Sequence, residues 1–433
     1  MARLRNALFV ALKWKYFIPA TLALAFILRL LWVLTFDARP ESDFLWYYTK
    51  AINLTQGHGF GDGDIPTAYN PIGYPLFLSL VFRVFGISVF AAQIANVVTQ
   101  TFLVYAIYLL GREVFHSRLV GRMAMLLLAI YPNGIAYTSL LANESLYLPL
   151  YVIGCWLMIR SIRVNPWMAL PAGLCIGYSS LCKPQGLLVA FIILLFAIKI
   201  AAPHKITFPR WLLTGVALCL GLAIVTGPWV WRNYQIWGHP VFNNTMGINM
   251  YLAHNPIATG GYVVMTPEMI KALGNGNEYE VDQQARKLAI DYIKRNPSEL
   301  ITLASARLMY LLSVDFDGAI WNGPFSPDKT PIQVAILINA MIVASYFYLM
   351  ITILSILAVI YLPFKMRLRK YTFPTIGIWI CLYFTGIILV YYGMPRYHAP
   401  LIPWMIIYSA AALMLIPKKK FASDEEKTAE GVA

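Results

Sequence analysis

The chain is poor in charge. Only 12% of its 433 residues are Asp, Glu, Lys or Arg, while 59% are hydrophobic and the mean hydropathy is +0.63. Soluble domains carry about a quarter charged residues, so a water-soluble globular enzyme is excluded. The cysteines are few and odd in number, and all five (Cys155, Cys175, Cys182, Cys219 and Cys381) lie in apolar segments. They form no disulfide framework and lack the spacing of a metal site. No Walker-type phosphate loop and no Rossmann glycine fingerprint is present, which argues against ATP-driven or nucleotide-sugar chemistry. The apolar segments also lack the polar–apolar alternation of membrane barrel strands.

What remains is a succession of apolar runs of spanning length. A helix needs ~20 such residues to cross the hydrocarbon core, and without alternation only helices satisfy the backbone in lipid. The runs fall at 16–36, 89–110, 123–137, 141–159, 167–181, a sixth ending at Lys199, 211–231, 333–362, 372–391 and 399–416. The expected fold is therefore an all-α integral membrane bundle of about ten transmembrane helices. The first run is followed by no small-residue cleavage site and is read as a retained anchor. The stretch 76–85 is too short to span and reads as an interfacial helix.

Basic residues set the orientation, because cytoplasmic loops collect Lys and Arg. Of the 34 Lys and Arg, 20 fall on one side of this map, 13 on the other and Arg29 within the first span; 15 of the 20 acids fall on the less basic side. Both termini are thus expected in the cytoplasm, and the net charge of +14 is a topology signal that calls for no nucleic acid. The chain divides into a core of 1–231 with a first outer loop at 37–88, an outer region at 232–330, C-terminal spans at 331–416 and a cytoplasmic tail at 417–433. The outer region holds one amphipathic helix pattern at 281–296, and 300–314 is apolar enough to lie on the outer leaflet. Arg29 has two readings, a functional intramembrane charge or a side chain snorkelling to the interface.

Several outer loops deliver charged or polar groups to the membrane surface: Asp43, Glu144, Lys183, Arg232, Arg396 and His398. Loops over a bundle mouth can converge on one cleft. Cations there suit a phosphate, and an ionised carboxylate suits a base that takes a proton from an acceptor hydroxyl. The combination fits glycosyl transfer from a lipid phosphate. The rival is a transporter or flippase of polyprenyl lipids, but no internal repeat with interrupted mid-membrane helices is visible. Asp62-Gly-Asp64 reads as a turn. No metal ligand set is read, although a divalent cation is compatible with the site.

Three stretches carry a resemblance. SDFLWYYTKAINLTQGHGF with PTAYNPIGYPLFLSLVFRVFG, then LCKPQG with GPWVWRNYQIWGHPVFNNT, and finally MPRYHAPLIP resemble the GT-C glycosyltransferases, membrane enzymes using polyprenyl-phosphate sugars, among them protein O-mannosyltransferases and the lipid A aminoarabinose transferase. The resemblance implies a GT-C-type bundle with extracytoplasmic interfacial helices, in the bacterial inner membrane, with its active site outside the cytoplasm. It implies an inverting transfer of one sugar from a polyprenyl-phosphate donor to an extracytoplasmic acceptor, with Asp43 as general base. By the same resemblance Glu144, Tyr69 and Asn70 position the acceptor or sugar, and Arg232, Lys183, Arg396 and His398 hold the lipid phosphate. Two departures stand out: Asp43 is followed by Phe44 where many relatives have a second acid, and Asn70 stands where some have lysine.

Overall fold

The computed structural model describes residues 9–63, 65–200, 207–365 and 373–415. Helix dominates it, and the β structure among those residues is one two-stranded hairpin, β1 (Gly61–Asp62) antiparallel to β2 (Ile65–Pro66). Among the described residues five helices are long and apolar enough to cross a membrane: α1 (Phe17–Thr35), α4 (Val89–Phe115), α7 (Glu144–Arg163), α10 (Phe208–Trp237) and α16 (Pro331–Lys365). Shorter apolar helices fill the other expected positions: α8 (Ala169–Cys182), α9 (Val189–Ile200), α17 (Phe373–Val390) and α18 (Ile402–Leu415). Their buried faces merge into one core with α4 and α7.

The third expected span is a broken one. It consists of α5 (Arg118–Ala129) and α6 (Pro132–Ala136), which continues as a 3-10 turn, bent by 56° at the break. Proline has no N–H to donate, so Leu128 O loses its i+4 partner and keeps a 3-10-type bond from Tyr131 N at 3.3 Å. Arg29 supplies further donors at this helix end. Its guanidinium donates to Leu128 O and Ala129 O, both at 3.2 Å, and to Ala25 O of its own helix at 3.1 Å. The side chain is fully buried and meets no carboxylate among the described residues. Neither sequence reading of Arg29 anticipates this placement: the guanidinium turns inward and caps a helix C-terminus, where the dipole favours a cation.

Arg307 repeats the device outside the bundle. It lies in α14 (Glu299–Leu312) and donates to Leu389 O at the end of α17 and to Ala253 O at the end of α11 (Met246–Ala253), both at 2.6 Å. The rest of α14 presents Ile301 and Met309, 80% and 74% exposed, as an apolar face. The amphipathic pattern at 281–296 forms α13 (Glu278–Arg295). It opens on a capping box between Asn277 and Glu280, carries Lys294 and Arg295 in its last turn, and buries Ala285 and Ala289.

Within the bundle, α8 and α10 touch through glycines. A Cβ on Gly173 would sit 2.4 Å from Leu218 O, and one on Gly221 would sit 2.3 Å from Leu170 O. Small residues at such crossings let helix backbones approach in lipid, where dispersion replaces hydrophobic driving force. That contact fixes the ends of α8 and α10, and with them Lys183 and Arg232. The side chains of residues 1–8, 197–206, 362–373 and 416–433 lie outside those described, so Lys199, Lys205 and the KMRLRK and KKK ends are not placed.

Candidate active site

Four positions far apart in sequence meet at one end of the bundle, the end expected from the charge distribution to face away from the cytoplasm. Asp43 lies in the first turn of α2 (Ser42–Gln56), preceded by Ser42 in the left-handed region at φ 50°. A non-glycine residue there costs of order 1 kcal/mol, and the strained residue is the one that sets the direction of the helix carrying Asp43. Arg396 comes from the 3-10 turn Pro395–His398 after α17, and its Nη1 is 3.1 Å from Asp43 Oδ2. Glu144 opens α7. Its Oε1 accepts from Lys183 Nζ at 2.7 Å and lies 3.4 Å from Arg396 Nε.

Exposure separates the two acids. The Asp43 side chain is 47% exposed, whereas that of Glu144 is only 4% exposed. Lys183 and Arg396 are themselves largely buried, the ammonium above the rings of Tyr147 and Tyr397 and the guanidinium above Phe44. Burial lowers the Lys183 pKa, with the Glu144 carboxylate working in the opposite direction. Burial would also lower that of Arg396, but the carboxylates of Glu144 and Asp43 outweigh it and hold the group above its ordinary range. The result is a fixed ion network with one exposed carboxylate: Asp43 Oδ2 is bound to Arg396, while Oδ1 makes no hydrogen bond with a described residue.

Behind the cluster lies a cavity of about 40 Å³ bounded by Gln100, Tyr137, Glu144, Arg396 and His398. Glu144 Oε2 and Tyr137 Oη are buried without a protein partner. A space of that size between two unsatisfied polar atoms fits a single ordered water.

A second layer holds Arg396 in place. His398 Nε2 lies 2.8 Å from Asp315 Oδ1, and its Nδ1 lies 3.1 Å from Leu311 O, while the Tyr348 ring stacks on it at 4.3 Å. Asp315 also accepts from Tyr131 Oη and Asn133 Nδ2, and Asn133 Oδ1 accepts from Gly318 N at 2.7 Å. This corrects the expectation for His398. With both ring nitrogens engaged and 1% exposure, it is not presented to a lipid phosphate; it anchors the turn carrying Arg396. The Asp315 carboxylate raises the His398 pKa despite burial. Asp315, Asn133 and Tyr131 were not singled out from the sequence. The available signal was DFDG at 315–318, an acidic turn between two apolar stretches.

Arg232 also departs from expectation. Its guanidinium donates to Thr67 O and Phe60 O, each at 2.8 Å, and to Asn233 Oδ1 at 2.9 Å. Trp229 and Trp237 flank it at 5.0 and 5.5 Å. It therefore clamps the first outer loop and shares no hydrogen bond with Asp43, Glu144, Lys183 or Arg396. The same loop is fixed from outside by Glu278, whose carboxylate accepts from Thr67 Oγ1 and from Ala68 N at 2.8 Å. Lys50, buried, pairs with Asp62 at the hairpin, the turn expected around Asp62; Asp64 is outside the described residues. Tyr69, 41% exposed, and Asn70, partly exposed, follow this clamp. The charge of Asp43 acts on Tyr69, whose pKa is pushed up to about 12, mainly by burial. Among the described residues no group of three or more His, Cys, Asp or Glu side chains is assembled to hold a metal ion.

The chain is an all-α integral membrane protein, and its fold is the GT-C-type helical bundle expected from the sequence. Its fold is similar to that of the Archaeoglobus fulgidus oligosaccharyltransferase, solved in complex with zinc and sulfate: TM-score 0.54 at 13% identity, over 95% of this chain and 50% of that one. The chain thus spans about half the length of that protein. Residues 69–231, less than half of the chain, match a family described as dolichyl-phosphate-mannose-protein mannosyltransferase. The matched segment contains Tyr69, Asn70, Glu144 and Lys183 but stops short of Arg232 and Arg396 and begins after Asp43. ArnT from Cupriavidus metallidurans bound to undecaprenyl phosphate aligns at TM-score 0.46, with 12% identity over 92% of this chain and 77% of that one; in its apo state the score is 0.44, with 13% identity over 92% and 76%. No curated protein matches the sequence.

Proposed function

We propose that the chain is a glycosyltransferase that moves one sugar from a polyprenyl-phosphate donor to an acceptor hydroxyl outside the cytoplasm. One observation carries the reading: a half-exposed carboxylate, Asp43, backed by two buried cations, Arg396 and Lys183, at the outer end of a GT-C bundle. The family matched by residues 69–231 is described by its use of a dolichyl-phosphate sugar, which supports the donor class. The Lys- and Arg-poor side of the chain, where the cluster lies, is the side expected to face away from the cytoplasm.

In this reading Asp43 accepts the proton of the acceptor hydroxyl. The acceptor oxygen bonds to the anomeric carbon, the carbon–oxygen bond to the phosphate breaks, and its electron pair leaves on the phosphate oxygen. Direct displacement inverts the anomeric centre. Arg396 and Lys183 lie beside the carboxylates and stabilise the charge that develops on the departing phosphate, the moment at which preorganised charge contributes most. Glu144 holds both cations in position. Lys183 and Arg396 thus take the phosphate role, and Arg232 serves the site by fixing the loop that leads to Tyr69 and Asn70.

Asp43→Asn tests this. The variant keeps the thermal stability of the wild type, because a half-exposed pair contributes under about 1 kcal/mol. Its sugar transfer from a polyprenyl-phosphate donor in proteoliposomes falls by about 10²–10⁴-fold, the usual contribution of a general base. Transfer within a factor of three of wild type would remove Asp43 from the chemistry.

A further inference from the structure

A second recess lies on the outer surface, at the point where α1 ends, α4 begins and α16 begins. It encloses about 450 Å³, within the ~300–1,000 Å³ of sites that hold small molecules. All three helices are of membrane-crossing length, so their ends here mark the boundary between hydrocarbon and water. The lining changes character across that boundary. Leu34, Val89 and Phe90 form the wall on the helix side; Asp37, Asp328 and Lys329 form the rim.

The rim charges are only partly engaged. Lys329 Nζ donates to the backbone oxygen of Asp37 at 3.0 Å, which uses one of its three N–H groups. Asp328 accepts from Ser326, and the charges of Lys329 and Arg39 act on it. The Asp37 carboxylate makes no hydrogen bond or ion pair with a described residue. The neighbouring amide of Gln333, by contrast, is already satisfied by Thr35 O and the Thr330 backbone N–H. What the recess leaves open is therefore one cation, two acids and an apolar wall.

We propose that this recess binds the headgroup of an amine-bearing phospholipid of the outer leaflet, of the phosphoethanolamine type. Lys329 takes the phosphate, Asp37 and Asp328 take the primary ammonium, and the glycerol with the first methylenes lies on Leu34, Val89 and Phe90. Two carboxylates at the rim disfavour a purely anionic lipid. A trimethylated ammonium has no N–H for them, and its usual recognition, by a cage of aromatic rings, is missing where Phe90 is the single ring in the lining. The site is independent of the glycosyltransferase reading. Occupied, it bridges the segment that leads from Asp37 to Asp43 and the one that follows Asp315.

The test is native mass spectrometry of the full-length protein with phosphatidylethanolamine, phosphatidylcholine and phosphatidylglycerol of identical acyl chains. Wild type retains phosphatidylethanolamine about fivefold over phosphatidylcholine, the factor of one partly exposed ion pair. The double variant Asp37→Asn/Asp328→Asn lowers phosphatidylethanolamine to the phosphatidylcholine level and raises phosphatidylglycerol. Lys329→Met lowers both zwitterionic lipids, and Asp37→Glu keeps the preference. Equal retention of the two zwitterionic lipids by wild type would overturn the proposal. So would a phosphatidylethanolamine preference that survives the double aspartate change.

Discussion

The Glu144–Lys183 pair is the part of the site whose energetics follow most directly from burial. Glu144 is 3% and Lys183 8% exposed, and their heads are 2.7 Å apart. Removing one partner of a buried pair leaves an uncompensated charge and costs about 3–5 kcal/mol. Glu144→Gln keeps the shape and one acceptor oxygen, so the lower end applies, about 3 kcal/mol. For a chain of this size that is a loss of roughly 3–6 °C in Tm. Lys183→Met alone leaves Glu144 with Arg396 as its one remaining ionic partner and costs roughly 2–3 kcal/mol on the same ground. The double variant Glu144→Gln/Lys183→Met removes both charges together and leaves Arg396 to Asp43. It is expected at about 3 kcal/mol in total, far from the sum of the two, giving a coupling of roughly 2 kcal/mol. Thermal unfolding of the four proteins in one detergent reads all of this. Losses that add to within about 0.5 kcal/mol would show the two residues to be energetically independent, and the cluster would lose its central contact.

Arg29→Met removes the cap on α5 while keeping an apolar stem. It is expected to destabilise by about 2 kcal/mol, whereas Arg29→Lys recovers part of this through a single donor; equal losses in thermal melts would contradict the capping role. The His398–Asp315 contact predicts a pH dependence. A folded-state pKa raised above about 6.5 contributes stability that is fully present below that pH and lost as pH rises through the folded value. The Tm difference between wild type and His398→Gln should therefore shrink above pH 6.5, and a difference that grows with pH would refute the ion pair. Arg232→Ala should free the loop around residues 60–67, read as faster limited proteolysis there, while Asp43-dependent binding of the donor changes little; strong loss of donor binding with an unaltered cleavage rate would restore Arg232 to the phosphate.

The helical bundle was legible because lipid leaves few choices: runs of apolar residues without alternation must be helices, and every expected run is occupied by one. The break near Pro132 was less visible. A proline inside an apolar run signals a kink, but the residue that makes the kink tolerable, Arg29, comes from a different span about 100 positions away. The site divides the same way. Asp43, Glu144, Lys183 and Arg396 stood out as charges at the ends of apolar runs, and the structure brings those four together. Arg232 and His398 stood out for the same reason, yet their partners are backbone carbonyls and a distant aspartate that no local spacing encodes. Asp315 was overlooked because it sits in an outer region whose turns carry many polar residues, and its burial depends on contacts with segments near positions 131 and 398.

The arginines show what a charge at a membrane surface is for only when their partners are known. Arg29 and Arg307 donate to carbonyls at helix ends and meet no carboxylate. Arg232 donates to carbonyls of one loop. In each case the guanidinium supplies several N–H groups to backbone carbonyls, a task a lysine performs less well because its donors do not form a planar fork. Arg396 differs in kind: it spans Asp43 and Glu144, so its charge is matched by charge, and in the proposed reaction the phosphate of the donor competes for it. A carbonyl-bound arginine can release its partners only by undoing a helix end or a loop. A carboxylate-bound one can exchange one anion for another with the fold intact. That distinction, and not position in the sequence, singles out Arg396 among these four as the cation free to take part in a reaction cycle.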